Sequence, residues 1–402
     1  MISRLSKPVL ICLSMTVLSA PTPALFQKGH NRWSLMGNRS HVPFDVFAMR
    51  VDVPVSTAVR QGNLGWTCGQ CPLTRTGEVF APGDLLAQTE FVCDMIEAVV
   101  ARAGFSPSSI GKLHVYLTAR TSSEARKAEA LIAARFAHGP LIVAIHVPHF
   151  YYEGMLIEVD VFLSAGLAAR AVHDADGIRL QVMEADNQVW VQATVPDDGT
   201  QLPADRVKSV ASALRQQGLG DDTLLSDLWI VGGDGTDSRE FAAAACDHRL
   251  MTNPDAFLLM ADPAPSVTKA ILTFARQPVR VRAYHDATDG LQVSLRQSGP
   301  VAWVTGSCAD RTRDLVGQTS AIMSALDAGL QAAGWRFADV VKLTAHYTGD
   351  ATEQDLHGNM KVRHRYYCAP GPASTGLPVQ RLGNSECRIA IDVLAISDDA
   401  SV

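Results

Sequence analysis

The block from Gly83 to Thr118 reads as a helix, a glycine stop, a polar turn and a strand, and it returns from Leu315 to Thr348. In the first copy Leu85, Val92, Met95, Ile96, Val99 and Val100 fall at helical spacing, whereas Leu113, Val115 and Leu117 alternate as in a strand. Asp84 and Asp314 supply start signals, and Gly104 and Gly334 supply stops. Both copies carry Gln-Thr in the first helical turns, Gln88-Thr89 and Gln318-Thr319, and both close on Ala-Gly. The chain therefore contains a repeat.

A weaker copy lies between them. Asn187–Pro196 stands for its first strand, Arg206–Gly218 for its helix, and Leu228–Val231 for the following strand. Arg239–Leu250 forms its second helix, and Ala256–Ala261 and Ala270–Ala275 are its last strands. Gly104, Gly218 and Gly334 recur at intervals of 114 and 116 residues, and Trp66, Trp190 and Trp303 at 124 and 113. The spacing predicts three units, over 55–166, 170–276 and 279–397, after an irregular lead-in over 27–54. Each is far longer than the ~20–50 residues of a stacked solenoid repeat. Units with one apolar sheet face close more naturally around a shared axis. In the outer units, Ser122–Ala137 and Asp355–Cys368 read as second helices. Pro140–Pro148, Met155–Leu163, Val301–Cys308, Pro372–Leu382 and Cys387–Ile396 read as strands.

The 402 residues are 47% hydrophobic and 19% charged, as in a well-cored globular chain, and the net charge of -6 offers no basic footprint for nucleic acid. No apolar run reaches the ~18 residues of a membrane span. At the start, Arg4 and Lys7 precede an apolar run over Pro8–Ala20 and then Thr22-Pro23-Ala24, the order of a secretory signal. The alternative for residues 1–26 is a disordered leader or a misassigned start. Cleavage would leave seven of the eight cysteines, and an odd number disfavours a fully paired disulfide framework.

Cys68-Gly69-Gln70-Cys71 is a C-x-x-C, and His146 and His149 are also three apart. On a strand such residues face opposite sides, so neither pair predicts a metal site, and buried thiols are the simpler reading. No nucleotide-binding glycine motif or nucleophile elbow is present, so no cofactor is implied. His346, Tyr347, His357, His364, Tyr366 and Tyr367 crowd the third unit, where they could serve acid–base chemistry. Lys361, Arg363 and Arg365 read as a solvated helix face, the alternative being a cationic group that reaches a cleft and binds there.

The strand end TCGQ, the helix GDLLAQTEFVCDMIEAVVARAG and the strand IGKLHVYLT resemble the RidA/YjgF family of enamine and imine deaminases, and TGS, GQT and DVVKLTAHYT in the third unit agree. The resemblance implies an α+β fold of three tandem RidA/YjgF-like (chorismate-mutase-like) units. They would form an intramolecular pseudo-trimer, with a β-barrel core and outer helices, from a monomeric chain. It also implies clefts between units and, unless the leader is a signal for export, a cytoplasmic place. Chorismatases are similar to the same fold. In the family an arginine on a Pro-Ala-Arg strand grips the substrate carboxylate, and a glutamate on the last strand helps position water. Ile142, Ala256 and Ser374 stand at the arginine position here, and Asp160, Leu272 and Asp392 at the acid position. The resulting expectation puts catalysis on Asp392 and Ser374, with Gly376, Thr375 and Asp160 binding a small-molecule substrate. The function implied is addition or elimination of water, as by an imine or enamine deaminase, on a small carboxylated metabolite. Chorismatase-like chemistry on a cyclic carboxylate, or ligand or partner binding without turnover, are the alternatives.

Overall fold

The computed structural model describes residues 39–49, 51, 53–168, 171–175, 177–196, 202–232, 238–260, 267–286, 290–350 and 352–397. The expected leader lies outside the described residues, as does the part of the lead-in before residue 39.

The chain begins with strands β1 (Arg39–Pro43), β2 (Ser56–Gln61) and β3 (Leu64–Thr67), then helix α1 (Leu85–Arg102), β4 (Ile110–Leu117), α2 (Ser122–Arg135), β5 (Leu141–His146) and β6 (Ile157–Ser164). The middle holds β7 (Ala171–Ala175), β8 (Ile178–Ala185), β9 (Gln188–Pro196), α3 (Pro203–Gln216), β10 (Leu224–Gly232), α4 (Ser238–Asp247), β11 (Leu258–Met260) and β12 (Val267–Ala275). The last third is β13 (Arg280–Asp286), β14 (Leu291–Ser298), β15 (Val301–Cys308), α5 (Leu315–Ala332), β16 (Val340–Tyr347), α6 (Glu353–His364), β17 (Ala373–Pro378), β18 (Arg381–Leu382) and β19 (Ile389–Ile396). The architecture is mixed α+β.

The recurring Gln-Thr pair has a structural cause. Asp84 caps α1 by accepting from the Ala87 amide, and Asp314 caps α5 by accepting from Gly317. One turn on, Gln88 donates to the Ala81 and Gly154 carbonyls and accepts from the Leu156 amide. Gln318 repeats this with Asp310, Glu386 and Arg388. Each glutamine thus ties the first turn of its helix to the loop that feeds the last strand. Thr89 and Thr319 bond back to the carbonyls four residues earlier. Gly104 and Gly334 close the helices with φ of 76° and 87°, where a Cβ would be strained.

The strands form two sheets. One has twelve strands, ordered β13-β14-β15-β19-β16-β17-β2-β3-β6-β4-β5 with β1 on β2, and joins both ends of the chain through the parallel pair β17–β2. The other runs β18-β11-β10-β12-β9-β8-β7. Three antiparallel pairs, β4–β6, β10–β12 and β16–β19, each carry a bulge near the start, at Ile110/Lys112, Leu224/Ser226 and Val340/Lys342. Three parallel pairs, β4–β5, β10–β11 and β16–β17, complete the pattern. Helices cover one face of the sheets in three apolar clusters, and the opposite faces meet in two interior clusters to which strands of both sheets contribute.

Two sequence expectations change here. The strand expected over Pro372–Leu382 is divided: β17 pairs with β16, while β18 crosses to β11 in the other sheet. Leu272, expected at the acid position, faces the helical core instead. The bulge in β10 sets Leu228 opposite Ile271, as His114 stands opposite Asp160, so the corresponding residue is Ile271. A one-residue register change turns a side chain to the other face.

Candidate functional site

A cleft of about 100 Å³ opens between the first and last thirds of the chain. Phe44, Phe47, Phe150, Tyr151, Tyr152 and Met155 form one apolar side, and Leu356, Met360 and Leu377 another. Its polar lining includes Glu158, Tyr347, Arg363 and Ser374. Such a site, mostly apolar with a few convergent polar groups, has the usual character of a small-molecule pocket.

Arg363 comes from the last turn of α6, whose N-terminus is capped by Thr352. Asn359, one turn earlier, accepts from its Nε at 3.2 Å and its Nη2 at 2.9 Å, and Nη1 lies 3.3 Å from Ser374 Oγ. The side chain is 1% exposed, and among the described residues no carboxylate pairs with it. Burial lowers its pKa from the free value, yet a guanidinium stays charged in proteins. A buried cation without a counter-ion is costly, and an anion in the cleft would offset that cost. Gly376 makes room: a Cβ there would stand 2.6 Å from Nη2. The sequence expectation of a solvated helix face for Arg363 is thereby corrected.

Glu158 approaches from β6. Its carboxyl lies against Gly69, where a Cβ would collide with it, and the Cys71 thiol donates to it. Burial, reinforced by the nearby Asp160 charge, pushes its pKa up to about 8, so at neutral pH it carries a proton. Tyr347 feels both groups: burial raises its pKa, Arg363 opposes the shift and Glu158 adds to it. The cleft is therefore lined by both a fixed cation and a protonated acid. Cys68 and Cys71 both line this cleft as free thiols, because the chain leaves the strand at Thr67 and strand alternation no longer applies. Burial pushes Cys68 up to about 12 and raises Cys71 too, so neither is an activated thiolate.

Thr375 lines the cleft, and Asp160 and Lys342 lie behind it. Lys342 Nζ is 2.9 Å from Asp160 Oδ2 and donates to Thr375 Oγ1 at 2.7 Å, while Thr375 donates to Asp160 Oδ1 at 2.6 Å. Ser374 and Gly376 face the cleft beside Arg363, as strand alternation predicts. Asp392 is not with them. It lines a separate interior cavity of about 30 Å³ with Lys112, His114 and Asp227, and burial pushes its pKa up to about 7. The grouping of Asp392 with Ser374 and Gly376 fails because Thr305 and Thr344, its cross-strand neighbours, belong to the interior face. The cleft acid is Glu158, two residues before Asp160 on the same face of β6, a spacing the alternation of MLIEVDVFL already contained. Among the described residues no group of three or more His, Cys, Asp or Glu is placed to hold a metal, and no helix is long and apolar enough to cross a membrane.

Residues 48–164 match the family described as Endoribonuclease L-PSP. A RutC family protein of Pyrococcus horikoshii is 32% identical over 109 residues, which are 27% of this chain and 83% of that protein. A RutC family protein of Sulfurisphaera tokodaii is 40% identical over 65 residues, 16% of this chain and 51% of that one. Among solved structures, a chorismatase aligns with TM-score 0.49 and 14% identity over 72% of this chain and 93% of its own. A YjgF family member from Mycobacterium tuberculosis aligns with TM-score 0.27 and 22% identity, over 32% of this chain and all (100%) of its own. At 32% identity across most of the Pyrococcus protein, the relationship is close enough to state that the chain belongs to the RutC, or RidA/YjgF, family.

Proposed function

We propose that the chain is a small-molecule hydrolase of the imine deaminase type, acting on a carboxylated substrate in the cleft between its first and last thirds. The observation that carries this reading is Arg363, a buried guanidinium with no carboxylate partner among the described residues, facing the same cleft as protonated Glu158. Arg363, with the Ser374 hydroxyl, holds the substrate carboxylate. Glu158 gives its proton to the imine nitrogen, and the resulting carboxylate takes a proton from the water that attacks the imine carbon. Glu158 then protonates the amine and takes the proton of the new hydroxyl as the C–N bond breaks, so that imine and water become ketone and ammonia.

We read the fold as three tandem units, 55–166, 170–276 and 279–397, arranged as a pseudo-trimer within one chain around a barrel-like core. The three equally placed bulges and the three parallel crossovers support it. The middle unit lacks an acid at either position on the strand that corresponds to β6: Lys269 and Ile271 stand where the first unit has Glu158 and Asp160. That leaves the cleft between the outer units as the equipped one.

The wall formed by Phe44, Phe47, Phe150, Tyr151 and Tyr152 favours a second reading, chorismatase-like hydrolysis of a cyclic carboxylate, because aromatic side chains suit a ring. Turnover assays against 2-aminoacrylate-derived imines and against chorismate separate the two. Saturable binding of both without turnover would point instead to a binding protein.

A further inference from the structure

We propose that the interior cavity, separate from the Arg363 cleft, binds a small monovalent anion of halide size on Lys112 and His114. The bulges in β4 and β16 place Lys112 opposite Phe162 and Lys342 opposite Leu394, so the two lysines occupy corresponding positions. Their surroundings differ. Lys342 has a carboxylate at 2.9 Å, supplied by Asp160, and a hydroxyl from Thr375. At the position in the middle of the chain that corresponds to Asp160 stands Ile271, which lines the same cavity as Lys112. The position on β5 that corresponds to Thr375 is Val143.

Lys112 has thus lost both partners that its counterpart keeps. It is 3% exposed, and among the described residues no carboxylate pairs with it. Its Nζ lies over the Phe162 ring at 4.1 Å and towards Trp190 at 5.4 Å. Aromatic faces offset part of the charge, yet a ring quadrupole is a weak substitute for a counter-ion. Beside it, His114 is 7% exposed and its Nε2 is buried with no hydrogen-bond partner. Burial and the Lys112 charge hold its pKa well below the ordinary value, so the ring is neutral and can present one N–H. Burial lowers the Lys112 pKa to about 7, so in mildly acidic solution an ammonium and an N–H converge on one small space, which is donor chemistry for an anion.

Size restricts the guest. About 30 Å³ exceeds the ~10–15 Å³ that one water needs, and it suits a single atom or a very small group. The remaining charged and titratable groups around the cavity do not cancel the site. Lys342 is committed to Asp160, His346 meets the Tyr116 hydroxyl at 3.2 Å, and Asp227, pushed up to about 6 by burial, is offset by the nearby Arg296 charge and accepts from the Thr252 amide at 2.9 Å. Asp392, whose pKa is pushed up to about 7, is largely uncharged in mildly acidic solution.

The test uses the full chain at constant ionic strength, pH 6.5, with sodium bromide exchanged for sodium gluconate. Bromide should raise the melting temperature saturably. At bromide tenfold above its Kd, the folded-to-unfolded ratio should rise ~11-fold. Lys112→Met should abolish the bromide response. Ile271→Asp, which returns the missing carboxylate to Lys112, should abolish it while leaving the protein folded in gluconate, and it decides the matter if Lys112→Met does not fold. Excess chloride-35 NMR line width, displaced by bromide, should be present in the wild-type chain alone. A wild-type chain with no bromide-specific stabilisation and no excess line width overturns the proposal, and so does an undiminished bromide response in either folded variant.

Discussion

Lys342 Nζ lies 2.9 Å from Asp160 Oδ2, an ion pair that fastens a strand near the C-terminus to one in the first third of the chain. Both side chains are buried, at 3% and 0% exposure, and Thr375 bridges them. The pair lies under the floor of the cleft. Its Asp160 charge helps to keep the proton on Glu158.

Removing one partner of this pair leaves a buried charge uncompensated. Asp160→Asn should destabilise the chain by about 3–5 kcal/mol. Equilibrium denaturation in urea checks the value, and a change below ~1 kcal/mol, the range of exposed pairs, would show that the pair is hydrated.

Glu158→Gln keeps the shape of the side chain and removes its acid. Turnover should fall by about 10²–10⁴, the usual effect of losing a positioned acid–base group. In the wild-type chain kcat/KM should decline as pH rises through about 8, because the protonated carboxyl starts the reaction and burial has moved its pKa there. A profile that rises through that range would assign Glu158 the opposite role.

Gly376→Ala tests the seat of Arg363 without touching any charge. A Cβ at 2.6 Å from Nη2 forces the guanidinium to move. KM should rise about tenfold or more, since charge-assisted hydrogen bonds to a carboxylate are worth ~1.5–3 kcal/mol. Thermal unfolding measured alongside separates this displacement from general loss of structure.

Asp392→Asn should leave most of the turnover intact, because the residue lines the interior cavity instead of the cleft. Its effect belongs to stability. The folded pKa of about 7 lies above the ordinary 3.8, so the folded state retains a proton that the unfolded chain releases. That contribution is fully present below 3.8 and is lost as pH rises through about 7. Denaturation at pH 5 and pH 8 should therefore show a smaller decline for the variant than for the wild-type chain.

Local signals in the sequence carried much of this fold. Asp84 and Asp314 start their helices, Gly104 and Gly334 stop them, and the alternation around Leu113 and Val304 marks buried strands. Such signals depend on neighbours a few residues apart. The strands β1, β2, β7, β8, β13 and β14 were not read from the sequence. Arg363 was hidden because its environment is made by Ser374 and Gly376 from β17 and by the aromatic wall around Tyr151, none of it local to α6. Its one local sign was Asn359 four residues earlier, which holds the guanidinium in place. Asp392 misled for a related reason. Alternation gives a face, but only the sheet order says that this face looks into the interior.

The central claim is that Arg363 binds a substrate carboxylate on which Glu158 acts. The direct measurement is steady-state hydrolysis of a 2-imino acid, generated in the assay from its amino acid, by the wild-type, Arg363→Met and Glu158→Gln chains. The wild-type chain should release ammonia in a saturable reaction. Arg363→Met should raise KM by about 10–100-fold, as expected for lost charge-assisted hydrogen bonds. Glu158→Gln should lower kcat with little change in KM. Equal kinetics in all three folded chains, or no turnover of carboxylated imines by the wild-type chain, would contradict the account.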